Sequence, residues 1–322
     1  MNTNEGYQTT FLGEHLEVPL PKPDSKLKQD FAPVIGNDDF LLTYPHYSVA
    51  LSKTRKLPFF AAVNIDGNLF KSIKRQDLFS GSDVWSVDDR AAEYQWGNDL
   101  YLATGSDFDK GHMVKREDPQ WGSNKKTAVQ AARSTFYFSN CAPQVGDLNR
   151  KEWRSLEDYI LKKESAANKL KICVFTGPVL DPEDPVFVTD VKGERVQIPT
   201  LFWKLVYFTT DDKTLSRVGF LMGQKNLLLK RNIAKPYESE LEAVVVKPKV
   251  FDDYDDAATY QVNVDVIEKL TGFAFPKAKD TYKDTRSIKI VLKQVEISDL
   301  ESFPGTGGSD DDLDFTLEGL VL

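Results

Sequence analysis

Only two cysteines, Cys141 and Cys173, and three histidines, His15, His46 and His112, occur in the 322 residues. Two thiols in apolar, strand-like surroundings and without metal-ligand spacing exclude a disulfide framework and a zinc finger, and are expected as buried free thiols. Long apolar runs are missing as well. The first twenty-five residues are rich in Asn, Thr, Glu and Pro, so neither a secretory signal nor a transmembrane helix is expected, and the expected location is cytoplasmic with no membrane partner. There is no excess of positive charge: 41 Lys and Arg stand against 49 Asp and Glu, a net charge of -8. A protein with this balance that handles nucleic acid has to gather its positive potential in a groove. Asp310, Asp311, Asp312, Asp314 and Glu318, near the C-terminus, supply five of the eight excess negative charges, which leaves a mildly acidic body.

What is present suffices for a globular core, with 41% hydrophobic residues in a chain of this length. Residues 1–38 are polar and punctuated by Pro19, Pro21 and Pro23, and read as an extended arm with little regular structure. Residues 39–303 hold the elements expected to fold. β-Branched and aromatic residues cluster from Tyr47 to Leu51 and from Phe59 to Ile65, the second run ending at Asp66-Gly67, which predicts an antiparallel hairpin. Further strands are predicted at Phe136 to Ser139, Lys171 to Phe175, Leu201 to Thr209 and Arg217 to Met222. Between them Trp153, Leu156 and Ile160 recur at helical spacing within Arg150 to Lys163, and Asn149 stands where a short polar side chain caps the first free amides. Val264 to Leu270, stopped by Gly272, predicts a second short helix. Asp252 to Asp256 read as a solvated loop, and residues 304–322 as a Gly-rich linker with an acidic tail.

The chemistry centres on Asp109-Lys110-Gly111-His112. Histidine changes charge near neutral pH and a neighbouring cation suits a phosphate, so the tetrapeptide points to phosphodiester chemistry. Downstream stand Thr135-Phe136-Tyr137-Phe138-Ser139-Asn140-Cys141-Ala142-Pro143-Gln144, then Leu148-Asn149, then Trp153 to Glu157. Val174-Phe175-Thr176-Gly177-Pro178 and Gln197-Ile198-Pro199-Thr200 before Trp203-Lys204 follow. In this order and spacing the chain resembles the DNA/RNA non-specific endonucleases, the ββα-metal, endonuclease G-like nucleases, over about residues 40 to 280. His15 and His46 lack such a context and are read as structural.

The resemblance implies an α+β ββα-metal nuclease fold, with a central antiparallel sheet flanked by helices. It implies a metal-dependent non-specific endonuclease acting on DNA, RNA or both and leaving 5'-phosphate and 3'-hydroxyl ends. His112 matches the general base of the family's Asp-Arg-Gly-His motif, and Asn149 its direct metal ligand. Glu157 matches a glutamate that works through metal-bound water. The implied cofactor is a single Mg²⁺, with Mn²⁺ as a substitute. Asp109 is expected to orient the motif, Lys110 to stabilise phosphate charge, and Arg116 to contact phosphate, as are Lys115, Lys125 and Lys126. Two departures bear on the substrate grip: Lys110 stands in place of the motif's arginine, offering a point charge instead of a planar fork, and Leu161 stands where some relatives carry another arginine. They motivate the alternative of a nuclease-like module that binds nucleic acid or a partner without cutting. A nuclease without an export signal also calls for restraint, by a regulatory protein partner, by homo-oligomer formation, or by the tail, whose Phe315, Leu317, Leu320 and Leu322 could dock on another protein.

Overall fold

The computed structural model describes residues 5–81, 84–146, 156–157, 159–166, 168–237, 258–284, 286–294, 315–318 and 320. The strands are β1 (Lys22–Pro23), β2 (Leu41–Tyr44), β3 (Tyr47–Leu51), β4 (Pro58–Asp66), β5 (Phe108–His112), β6 (Cys141–Val145), β7 (Lys171–Val179), β8 (Val186–Phe187), β9 (Leu201–Thr209), β10 (Leu215–Gly223), β11 (Ala234–Lys235), β12 (Thr259–Val262), β13 (Phe273–Ala274), β14 (Lys279–Asp280), β15 (Ile288–Gln294) and β16 (Phe315–Glu318). The α-helices are α1 (Ser25–Lys28), α2 (Asn98–Tyr101), α3 (Lys125–Ser134), α4 (Lys225–Lys230) and α5 (Val264–Thr271).

A ten-stranded sheet runs β16-β15-β12-β10-β9-β7-β4-β3-β2, with β14 alongside β10. Every pairing along that path is antiparallel, and only β14 joins parallel. Side chains alternate between the sheet faces, and the core divides accordingly. Val63, Ile65, Val174 and Val206 face one cluster with Phe108, Cys141, Leu156, Ile160 and Leu161. Ala62, Cys173, Phe175, Trp203, Leu205 and Tyr207 face the other with Tyr7, Val18, Val264, Ile267 and Phe273. Both faces are covered, which is why β4 is buried along its whole length and needs no polar alternation.

The α+β class and the central antiparallel sheet are as expected, as are the β3–β4 hairpin and both free, buried thiols. α5 begins at the predicted residue and stops at Gly272, whose φ of 73° is the left-handed conformation that glycine adopts without strain. One strand is displaced from its expected place. Phe136 to Ser139 is not a strand: Phe138–Asn140 forms a 3-10 turn, and the strand follows at Cys141–Val145. Its aromatic rings draw this segment into the core instead of into a ladder, Phe136 packing with Phe79 and Trp85, and Phe138 with Tyr101. The Asn140 carboxamide then fixes the turn, donating to the carbonyls of Val114 and Thr135 and accepting from the Val114 amide.

Helix α3, which carries Lys125 and Lys126, is not among the elements predicted from the sequence. It buries Ala128, Ala131 and Ala132, side chains too small to mark an apolar face, and is capped by Asn124. The helix expected over Arg150 to Lys163 lies largely outside the described residues. Its described part is helical at Leu156 and Glu157 and continues as a π-helical segment, Tyr159–Ala166. Asp252 to Asp256 and residues 304 to 314 also lie outside the described residues. The N-terminal residues are anchored to the domain: Tyr7 and Val18 enter the core, and β1 pairs with β13.

Candidate active site

The motif Asp109 to His112 lies on β5, paired antiparallel with β6 so that Asp109 stands opposite Gln144, Lys110 opposite Pro143, Gly111 opposite Ala142 and His112 opposite Cys141. Pro143 donates no amide hydrogen and would weaken an interior strand. Buried Gln224 completes that side of β6, accepting from the Val145 amide at 2.9 Å and donating to the carbonyls of Pro143 at 3.1 Å and Pro199 at 2.7 Å.

The pleat separates the motif into two faces. Lys110 and His112 share one with Cys141. The Lys110 ammonium lies 5.5 Å from the centroid of the Tyr101 ring, within cation–π range. The His112 imidazole lies 4.6 Å from the Trp85 ring and meets Phe136 edge-on at 5.1 Å. His112 as a residue is only half-buried, yet its Nε2 atom has no solvent contact and no hydrogen-bond partner among the described residues. Burial, reinforced by the positive charges of Arg75, Arg116 and Lys115, pushes its pKa down to about 3. The ring is therefore neutral at physiological pH, a stronger perturbation than an ordinary imidazole would show.

Asp109, Gly111 and Gln144 share the other face. The Gln144 carboxamide fills the space a Cβ at Gly111 would occupy, with its oxygen 2.1 Å from that position, so any larger residue there has to displace it. Gln144 is fully buried, and neither its oxygen nor its nitrogen has a partner among the described residues. Buried polar atoms are paired in the great majority of cases, and an orphaned set beside the motif is what a site completed by a hydrated ion or a substrate leaves.

Glu157 is buried, and its Oε1 lies 3.3 Å from the ammonium of Lys204. Asn149 lies outside the described residues. Among the described residues no group of three or more His, Cys, Asp or Glu side chains could hold a metal ion. Oxygen donors such as the Gln144 carboxamide fit a hard cation that keeps several waters and needs few protein ligands.

The cations expected to grip substrate differ in their commitments. Arg116 donates to the Ile73 carbonyl at 2.8 Å and to Glu117 Oε1 at 3.0 Å, and Lys115 pairs with Glu117 Oε2 at 2.9 Å. Lys125 pairs with Asp77 at 3.2 Å. Arg75, which the sequence reading passed over, is exposed on the 3-10 turn Arg75–Asp77 and close enough to His112 to depress its basicity. Nothing in Lys74-Arg75-Gln76-Asp77 marks it out from a solvated turn; only its electrostatic reach to His112 in the fold does.

Comparison with known proteins gives a consistent result. Residues 30–281 match the family described as DNA/RNA non-specific endonuclease. An uncharacterized protein of Sinorhizobium fredii is 34% identical over 236 residues, covering 70% of this chain and 33% of that protein. A nuclease of Nostoc is 26% identical over 239 residues, covering 74% of this chain and 73% of its own length. Human mitochondrial endonuclease G is 32% identical over 108 residues, 32% of this chain and 33% of that protein. The chain thus spans about a third of the Sinorhizobium and human proteins and most of the Nostoc one. Among solved structures, a complex of EndoG with its inhibitor EndoGI superposes with a TM-score of 0.48 at 19% identity, covering 73% of this chain and 84% of that one.

Proposed function

Because the chain belongs to the DNA/RNA non-specific endonuclease family, we propose that it is a metal-dependent nuclease that hydrolyses phosphodiester bonds of DNA, RNA or both, with His112 as general base. The observation that carries this reading is the His112 Nε2 atom: buried, without a partner among the described residues, and held neutral by burial and by the positive charges of Arg75, Arg116 and Lys115. A neutral ring nitrogen can take a proton, and an anionic phosphodiester entering among those cations counters the charges that hold its basicity down.

In this reading the attacking water gives its proton to His112 Nε2 as its oxygen bonds to phosphorus, the bond to the 3' oxygen breaks, and that oxygen takes up a proton from a solvent water. The ends are then 5'-phosphate and 3'-hydroxyl. Lys110 and Arg75 hold the phosphate by charge, Arg116 adds to the positive potential, and Asp109 orients the motif. Trp85 and the other groups that cover Nε2 have to shift before a water reaches it. Asn149, through its side-chain oxygen, would hold Mg²⁺, or Mn²⁺ in its place, and the bound ion would supply charge neutralisation at the phosphate and at the departing oxygen. Glu157 would support the hydrated metal without binding it directly. A grip on phosphate and sugar reads no base edges, so cleavage is not sequence-specific.

Residues 39–303 form the catalytic unit in this reading, 1–38 an arm over it, and 304–322 a linker and acidic tail. A cytoplasmic enzyme of this kind has to be restrained, by a protein partner, by self-association or by the tail. No helix among the described residues is long and apolar enough to cross a membrane.

The test is incubation of purified protein with plasmid DNA and with RNA, with and without Mg²⁺, beside His112→Ala. Expected are Mg²⁺-dependent nicking and fragmentation, lost in the variant. Metal-independent cleavage, undiminished cleavage by His112→Ala, or binding without product would sink the reading.

A further inference from the structure

Lys204 is a cation in a place where a hydrocarbon would cost less. It stands in the middle of β9, is 2% exposed, and lines one narrow space with Ile65, Val174 and Ile160. Two carboxyl groups, Glu157 and Asp118, line the same space. The ladder places Thr176 of β7 directly opposite Lys204, and the ammonium donates to Thr176 Oγ1 at 3.0 Å and to Glu157 Oε1 at 3.3 Å. Asp118 is itself buried, and its Oδ2 accepts the backbone amide of Lys115, three residues beyond His112.

A buried ion pair stabilises a fold poorly, since its attraction only roughly repays the lost hydration, and an apolar side chain of equal volume does as well or better. Packing therefore gives no reason for charge at this position. The connectivity does. Glu157 arrives on the helical segment that precedes Tyr159–Ala166, Asp118 on the loop that follows β5, and Lys204 on the rigid central sheet. An ammonium has a short reach and three donors, so it holds a carboxylate in one place where water would let it turn.

We propose that Lys204 is a positioning residue for phosphodiester hydrolysis: its buried ammonium fixes the Glu157 carboxylate in the space that Asp118, on the loop that follows His112, also lines. Burial, with the nearby Glu157 charge and against the pull of Lys204, raises the Asp118 pKa to about 7, so Asp118 lies within electrostatic reach of both groups. The inference rests on the assignment of Glu157 to the active site.

The experiment is a double-mutant cycle in the full-length protein, with Lys204→Met, Glu157→Gln and the double variant. It reads kcat and KM on an oligonucleotide substrate and the thermal midpoint in metal-free buffer. Lys204→Met should lower kcat by about 10- to 100-fold with KM changed less than about threefold, the range typical of partners that orient a metal site from outside it. In the Glu157→Gln background the same substitution should cost less than about threefold. The metal-free midpoint lost in Lys204→Met should be largely regained in the double variant, which leaves Glu157 no charge to strand.

An equal loss of kcat in both backgrounds means a merely structural lysine and overturns the proposal, as does a folded Lys204→Met with wild-type kcat while Glu157→Gln is inactive. If Lys204→Met does not fold, Asp118→Asn in the same cycle decides on the same criteria. Full activity of Glu157→Gln removes Glu157 from the site and overturns both readings together.

Discussion

The state of His112 is set by its neighbours. Free imidazole titrates near 6.5, but a ring set against Trp85 and Phe136, with its Nε2 atom buried and three cations nearby, takes up a proton less readily. In the metal-free, substrate-free protein, NMR titration of His112 should therefore show a neutral ring from pH 8 down to 5. A midpoint near 6.5 would show that the aromatic enclosure is not the state in solution. Linkage follows from the same shift. Folding holds the pKa below its unfolded value, so the stability gained from a neutral His112 is complete above pH 6.5 and is lost as pH falls towards 3. Asp118 runs the other way: its raised pKa means that its contribution is complete below about pH 4 and is lost as pH rises through about 7. Between those limits the two effects oppose each other. Gly111 shows a different residue-scale constraint, that of space. Gly111→Ala has to expel the buried Gln144 carboxamide, an overpacking cost of about 1–3 kcal/mol. Urea unfolding should register that loss, together with reduced cleavage; an unchanged midpoint would mean that Gln144 is easily displaced.

At the scale of elements, β6 depends on a side chain far from it in sequence. Gln224 meets the Val145 amide and the carbonyls of Pro143 and Pro199, so Gln224→Met strands three buried backbone groups at about 1–3 kcal/mol each. Because β6 sets the register of β5, activity should fall with stability, and a variant that unfolds as the parent does would refute the dependence. This contact also shows where sequence reading stops. Runs of β-branched and aromatic residues made β3, β4, β7, β9 and β10 legible, and a glycine made the Gly272 stop legible, because local composition and final environment agree there. Around the site they part. Phe136 and Phe138 have the composition of a strand, yet their rings are drawn to Trp85 and Tyr101, so the strand begins only at Cys141. Alanines give α3 no visible apolar face. The motif itself could be read from spacing, because the family fixes it. Arg75, the Gln224 clamp and the buried Lys204 could not, because each gains its meaning from a neighbour brought in by the fold.

At the scale of the whole molecule, charge and sheet edge meet in the C-terminal residues. Phe315–Glu318 forms β16, which covers the outer edge of β15 in register from Val291↔Glu318 to Gln294↔Phe315, and Leu320 packs against the core. An uncovered edge strand invites pairing with another chain, so a tail that is part of the sheet cannot be removed as a detachable inhibitor could. Deleting residues 304–322 should lower the thermal midpoint and give self-association by light scattering, which confounds any gain in cleavage. A monomeric, equally stable truncation with faster cleavage would instead mark the tail as a removable lock. The acidic run can be separated from the strand by replacing Asp310, Asp311, Asp312 and Asp314 with asparagine, which keeps β16 and takes away four of the eight excess negative charges. If the run repels or competes with phosphate, this variant should cleave plasmid faster at about 0.05 M salt, where the Debye length is over about 10 Å. The advantage should vanish towards about 1 M, where that length is about 3 Å. A rate ratio independent of salt would mean that the charges act on nothing near the groove, and the restraint would then have to come from a partner or from self-association.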